Sequence, residues 1–214
     1  LIGGVVAFGI SQNNQEHSKP TASEIIEKSR QAYADLSSYA DTTKAITKIG
    51  GAELTTTLQV KLQRPASYRL EWTQSAVGRG VNHGARVTAA VWSERGTHFL
   101  NVQGKGLNYN NRKMPSLAAS LDLASPLSGM SADVIPHLFF NDTGRNPLPT
   151  DALVRLKDAR IEGVDCFVLG GKADPFKTIV WINQKSFLIQ RVQRELDASQ
   201  PRPALTEATG SLHP

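Results

Sequence analysis

Residues 22–36 place Ile25, Ile26, Ser29, Ala32, Tyr33 and Leu36 at helical spacing on one face, and Thr21 with Glu24 forms a capping box at the start. The pattern predicts a helix there. After Ser37 and Ser38 the period becomes two. Tyr39, Ile46 and Ile49 head a strand that stops at Gly50-Gly51, a hairpin signal. Its partner alternates Leu54, Thr56, Leu58, Val60 and Leu62 with Thr55, Thr57, Gln59, Lys61 and Gln63, so one face is apolar and the other wet. Pro65 interrupts the ladder, and Tyr68, Leu70 and Trp72 resume it, with Arg69, Glu71 and Thr73 on the opposite face.

A glycine-containing loop near 78–84 leads to strands over 86–93 and 97–102, joined by Glu94-Arg95-Gly96, and to a short stretch over 107–112. The next segment differs in kind. Leu117, Ala118 and Leu121 mark a helical turn over 116–123 that Pro126 breaks, and Val134, Ile135, Leu138, Phe139 and Phe140 mark a second over 131–140. Beyond a loop over 141–151, strands are expected at 153–161, 166–169, 178–182 and 188–192, with turns at Glu162-Gly163, Gly170-Gly171 and 183–186. Hairpin turns leave no room for parallel crossovers, so the class is α+β. About ten short antiparallel strands form a strongly curved sheet, a half-barrel, with the first helix and the short central helical pair as a lid on its concave face.

Composition narrows the chemistry. The 214 residues carry 24 Lys and Arg against 19 Asp and Glu, a net charge of +5, with 40% hydrophobic residues. Such a chain is globular, and its positive charge is too thinly spread for a nucleic-acid footprint. Weak attraction to anionic head groups is compatible with it. The single cysteine, Cys166, excludes an internal disulfide, and its alternation with Val164 and Val168 favours a packing role over a nucleophilic one. The five histidines lack metal-ligand spacing, so neither metal nor cofactor is expected. Gly129-Met130-Ser131-Ala132-Asp133 lacks the second glycine of a nucleophile elbow, and Asp122, Asp133 and Asp142 show no acid–base pairing, so no catalysis is expected.

The organisation reads in three parts. Residues 1–20 comprise a ten-residue apolar run, too short to span a bilayer, and a polar linker; the run reads as the end of a signal peptide or anchor, or as a buried first strand. Residues 21–196 form the domain, and residues 197–214 a tail or an incomplete closing strand.

The stretch Gln63-Arg64-Pro65-Ala66-Ser67-Tyr68-Arg69-Leu70-Glu71-Trp72 resembles the Arg-Pro-x-x-aromatic-Arg strand motif of the LolA/LolB-like lipoprotein carrier superfamily. Tyr33-Ala34-Asp35-Leu36-Ser37-Ser38-Tyr39, Val91-Trp92-Ser93-Glu94-Arg95-Gly96, Gly163-Val164-Asp165-Cys166 and Val180-Trp181-Ile182 are similar to its further motifs in the same order. The segment Leu127-Ser128-Gly129-Met130-Ser131-Ala132-Asp133-Val134-Ile135-Pro136 makes the chain look closest to the DUF2092 branch. The resemblance implies a monomeric, non-catalytic protein of the periplasm or exterior, optionally tethered by its N-terminal segment, that holds acyl chains of a lipid or lipoprotein and meets a membrane-protein partner. By the same resemblance Arg64 hydrogen-bonds toward the lid, and Tyr68 lines the cavity mouth. Leu70, Trp72, Trp92, Leu117, Leu121, Ile135, Leu138 and Phe139 complete the expected acyl-binding set. An envelope sensor or scaffold, binding a protein partner through the same curved sheet, is the alternative.

Overall fold

The computed structural model describes residues 19–196, except 50–51, 79–85, 105–106, 142 and 174–175. The expected segment 1–20, apart from its last two residues, the tail 197–214 and the Gly50-Gly51 turn therefore lie outside the described residues.

The first helix, α1 (Ala22–Ala34), begins where its local chemistry dictates. The Thr21 hydroxyl accepts from the Glu24 backbone N–H at 3.2 Å, and the Thr21 N–H donates to the Glu24 carboxylate at 2.7 Å. These bonds hold the Glu24 carboxyl below its ordinary range. Six antiparallel strands follow as a meander: β1 (Ser38–Ile49), β2 (Ala52–Gln63), β3 (Ser67–Gly78), β4 (Arg86–Glu94), β5 (Thr97–Gly104) and β6 (Leu107–Met114). At the β4–β5 hairpin Arg95 and Gly96 both take positive φ, 49° and 77°, the geometry a two-residue turn of this hand demands. The first three strands are 12 residues each, longer than the short strands the pattern suggested.

Two helices interrupt the strands, α2 (Leu117–Leu127) and α3 (Ile135–Phe140). Pro126 does not stop α2 but sits inside its last turn, and residues 128–134, expected to be partly helical, form a chain of turns. A second sheet follows: β7 (Leu153–Arg155), β8 (Ala159–Ile161), β9 (Val164–Ala173), β10 (Phe176–Asn183) and β11 (Ile189–Leu196), in the order β11-β10-β9-β7 with β8 also on β9. The strand expected over 153–161 is thus two short ones. Gly170 and Gly171, read as a turn, lie inside β9. A Cβ at Gly171 would fall on the Ala152 carbonyl, and one at Gly170 would meet Leu156 Cδ1 at 2.6 Å, so both glycines let the neighbouring chain approach.

The architecture is α+β, an open, curved antiparallel assembly with helices on one face. The single sheet of about ten strands divides into two, because β1 and β11 approach each other without a hydrogen-bonded ladder. Two apolar clusters match the two sheets. Leu58, Val60, Leu62, Tyr68, Leu70, Trp72, Val91, Leu100 and Val102 meet Leu121, Ala124, Phe139 and Phe140 of the central helices. Ile25, Ile26 and Tyr33 of α1 meet Leu138, Leu169, Val180, Ile182 and Ile189. Leu36, Tyr39 and Ile135 pack against both clusters, so the segment after α1, the start of β1 and α3 together bridge the two sheets. Cys166 is fully buried in β9, and burial pushes its thiol above the usual range.

Candidate functional site

The lid and its attachments come first. Arg64, at the end of β2, donates from Nε to the Leu36 carbonyl at 2.9 Å and from Nη2 to the Tyr33 carbonyl at 3.4 Å. The same Nη2 donates to the Phe139 carbonyl, and the guanidinium lies 4.7 Å over the Phe139 ring. One cation therefore joins the C-terminal ends of α1 and α3, where carbonyls without helical partners concentrate negative potential.

A second attachment is ionic. Asp133, in the turns before α3, is 3% exposed. Its carboxylate accepts from Ser125 Oγ of α2 at 3.0 Å, contacts Arg145 Nη2 at 3.2 Å and pairs with Arg194 of β11. It ties the junction between α2 and α3 to the second sheet across 61 residues of sequence.

Between these ties the interior is filled. Tyr68, Leu70, Trp72, Leu121 and Phe139 all lie in the first apolar cluster at 4% exposure or less. Trp72 donates from its indole to the Leu127 carbonyl at 3.1 Å, closing the C-terminal end of α2. Tyr68 does not stand at an open mouth. Its hydroxyl lies 3.1 Å from His98 Nδ1, its ring meets Phe140 edge-on, and burial pushes its ionisation up to about 12. Leu117 and Ile135 are half-buried against the same cluster, whereas Leu138 belongs to the second.

Trp92 is a correction. It pairs with Arg69 across β3–β4, and since Leu70 pairs with Val91, Trp92 must point to the opposite face from the lid. Its ring stacks on Phe99 at 5.4 Å, with the Arg69 guanidinium 5.5 Å away. A groove of about 570 Å³ opens on that outer face, lined by Gln59, Glu71, Thr73, Thr88, Ala90, Asn101, Gln103 and neighbours. Sequence reasoning identified this face as wet but assigned it no role.

A smaller pocket of about 240 Å³ lies beside α3, with Arg30, His137, Asn141, Arg145 and Asn146 among its walls. His137 is 2% exposed; Nδ1 lies 2.7 Å from Thr143 Oγ1, and Nε2 has no partner among the described residues. Burial lowers its proton affinity below the ordinary 6.5, opposed by Asp133 and Asp122 and assisted by Arg145. Because the folded imidazole titrates lower than the unfolded one, the unfolded chain binds more protons as pH falls through about 6.5. We predict that stability is lost in that range. Urea midpoints at about pH 7.5 and 5.5 should fall in the native chain and fall less in His137→Gln; an equal drop in both would refute a role for His137.

Among the described residues no three His, Cys, Asp or Glu side chains gather as a metal site requires, and no helix is long and apolar enough to cross a membrane.

No family model matches the chain, and no curated protein matches it either. Two solved structures are similar. One is a DUF1329 family protein from Desulfovibrio piger, 16% identical over 84% of this chain and 74% of that one, with a TM-score of 0.33. The other is a putative outer membrane lipoprotein-sorting protein domain from Vibrio parahaemolyticus, 13% identical over 81% of this chain and 71% of that one, with a TM-score of 0.29. Superpositions at this level leave both fold and function to be argued from the strand order and the residues themselves.

Proposed function

We propose that the chain is a non-catalytic carrier of the cell envelope that takes acyl chains of a lipid or lipoprotein between the apolar face of β1–β6 and the α2–α3 lid. The observation that carries this reading is Arg64, the position the motif resemblance singles out, joining the C-terminal ends of α1 and α3 through backbone carbonyls. Such a tie holds the lid shut without depending on the lid's side chains. In the closed state Leu121, Ala124, Phe139 and Phe140 cover the sheet. An acyl chain would take their place as the lid swings away. Each methylene removed from water contributes about 0.8 kcal/mol, so a dozen contribute about 10 kcal/mol, enough to offset exposing a few large side chains. Of the expected ligand set, Arg64, Tyr68, Leu70, Trp72, Leu117, Leu121, Ile135 and Phe139 would be reached on opening, whereas Leu138 packs in the second cluster and is left out of this site.

The test is uptake of a dansyl-labelled undecanoic acid, followed by fluorescence. Charge-assisted hydrogen bonds contribute about 1.5–3 kcal/mol, so Arg64→Gln should raise the open population and speed uptake about tenfold or more. Circular dichroism checks that the variant is folded. No uptake by either protein would end the carrier reading, and capture of a tight protein partner without lipid would favour a sensor.

A further inference from the structure

The two sheets differ on the faces they turn away from the helices. Along β2 and β3 the outward positions are polar, with Thr57, Gln59, Lys61, Glu71 and Thr73 among them. On the second sheet the register sets Arg191, Trp181 and Val168 in one outward row, and Gln193, Ile179, Gly170 and Val154 in the next. Leu156 prolongs β7 by donating its N–H to the Val168 carbonyl at 2.8 Å, and its side chain lies over Gly170. Because Gly170 has no side chain, nothing separates Val154 from Ile179 on this face. Val154 and Leu156, 61% and 42% exposed, are two of the four exposed large hydrophobic side chains among the described residues. They stand together at the sheet edge beside the half-buried Ile179 and Trp181, so the apolar surface is contiguous rather than scattered.

Cations rim that surface. The Arg191 guanidinium lies 5.7 Å from the centre of the Trp181 ring. In the row beyond Ile179, Lys172 and Lys177 are directly opposite one another across β9–β10, a like-charge pairing that folding by itself does not favour. Glu195 faces Lys177 from β11. Among the described residues that the register places on this face, three are therefore cations and one is a carboxylate. We propose that this face docks on an anionic phospholipid surface, with Val154 and Leu156 dipping below the head groups and Lys172, Lys177 and Arg191 meeting the phosphates.

Charge and shape select that occupant. A second copy packed face to face about a two-fold axis would set the same cations against their own counterparts. A protein partner would have to cover two neighbouring ammonium groups, at a desolvation cost that only matched carboxylates offset. A lipid surface asks for neither: the ammonium and guanidinium groups stay in the hydrated phosphate layer while their aliphatic stems and the apolar side chains reach beneath it. Trp181 suits the same boundary, being an amphipathic ring with a cation at its side. The face lies opposite α1 and the lid, so docking there does not depend on the acyl-carrier reading.

The experiment floats the full chain with vesicles of equal parts phosphatidylcholine and phosphatidylglycerol, and with phosphatidylcholine alone. Binding to the anionic vesicles should be about tenfold tighter and should weaken as salt rises from about 50 to about 500 mM. Lys172→Gln with Lys177→Gln should weaken it about tenfold, and Val154→Ser with Leu156→Ser about fivefold or more. Lys61→Gln with Lys113→Gln removes the same charge from the first sheet and should change it less than about twofold. Circular dichroism checks each fold, and the lysine pair decides should the serine pair melt early. With lipid brominated in its acyl chains, tryptophan quenching should persist in Trp92→Phe and disappear in Trp181→Phe. Equal binding to both vesicles, equal weakening by the two lysine pairs, or quenching carried by Trp92 would overturn the proposal. So would a dimer in sedimentation that Val154→Ser with Leu156→Ser dissolves, because a second copy would then be the occupant.

Discussion

Asp133→Ala is expected to lower stability by about 3–5 kcal/mol, the range for breaking one side of a buried ion pair. The carboxylate is 4% exposed and Arg194 is 15% exposed, so the guanidinium left behind is largely cut off from water. Arg145, 40% exposed and also in contact with Asp122, can rehydrate and loses little. For a chain of this size the loss should lower Tm by about 10 °C. A double-mutant cycle separates the pair from general damage: Asp133→Ala with Arg194→Met removes both charges and should recover most of the loss. Salt gives a second control, because the exposed Arg160–Asp165 pair, at 69% and 63%, is screened whereas the Asp133 pair is not. A loss below about 1 kcal/mol in thermal or urea melts would show that Asp133 does not secure the lid to β11.

What the sequence could announce was what local chemistry causes. The capping box of α1 and the Arg95-Gly96 turn are decided within four residues, and both appear as expected. The Gly170-Gly171 pair was misread because its cause is tertiary: the Ala152 backbone carbonyl requires glycine at 171, while a Cβ at 170 would meet the end of the Leu156 side chain, and neither is a turn. Likewise Pro126 looked like a breaker that ends the helix before it, yet α2 carries it in its last turn and stops at Leu127, the residue after it.

The same division governs the site. Trp72 and Trp92 stand together in the expected acyl-binding set, but cross-strand register decides the face, and Arg69 opposite Trp92 fixes it outward. Arg64 was readable through a motif; Asp133 with Arg194 was not, since nothing in either neighbourhood points to a partner 61 residues away. The wet outer face of the first sheet was evident from alternation.

Phe139→Ala is expected to cost about 3–5 kcal/mol, the usual range for emptying a fully buried aromatic site. The ring is 0% exposed, meets Phe140 edge-on at 5.0 Å and lies under the Arg64 guanidinium at 4.7 Å. The substitution removes the cation–π contact but keeps the carbonyl that Arg64 binds, so the lid stays attached while its underside is hollowed. The consequences for stability and for ligand uptake therefore run in opposite directions. A cavity lined by leucine and aromatic side chains stays dry and accepts apolar guests. If acyl chains enter beneath α3, the variant should bind the dansyl undecanoic acid about tenfold more tightly than the native chain while melting lower, because the guest no longer has to displace the ring. Lower stability with unchanged uptake would place the entry route elsewhere than between Phe139 and the sheet.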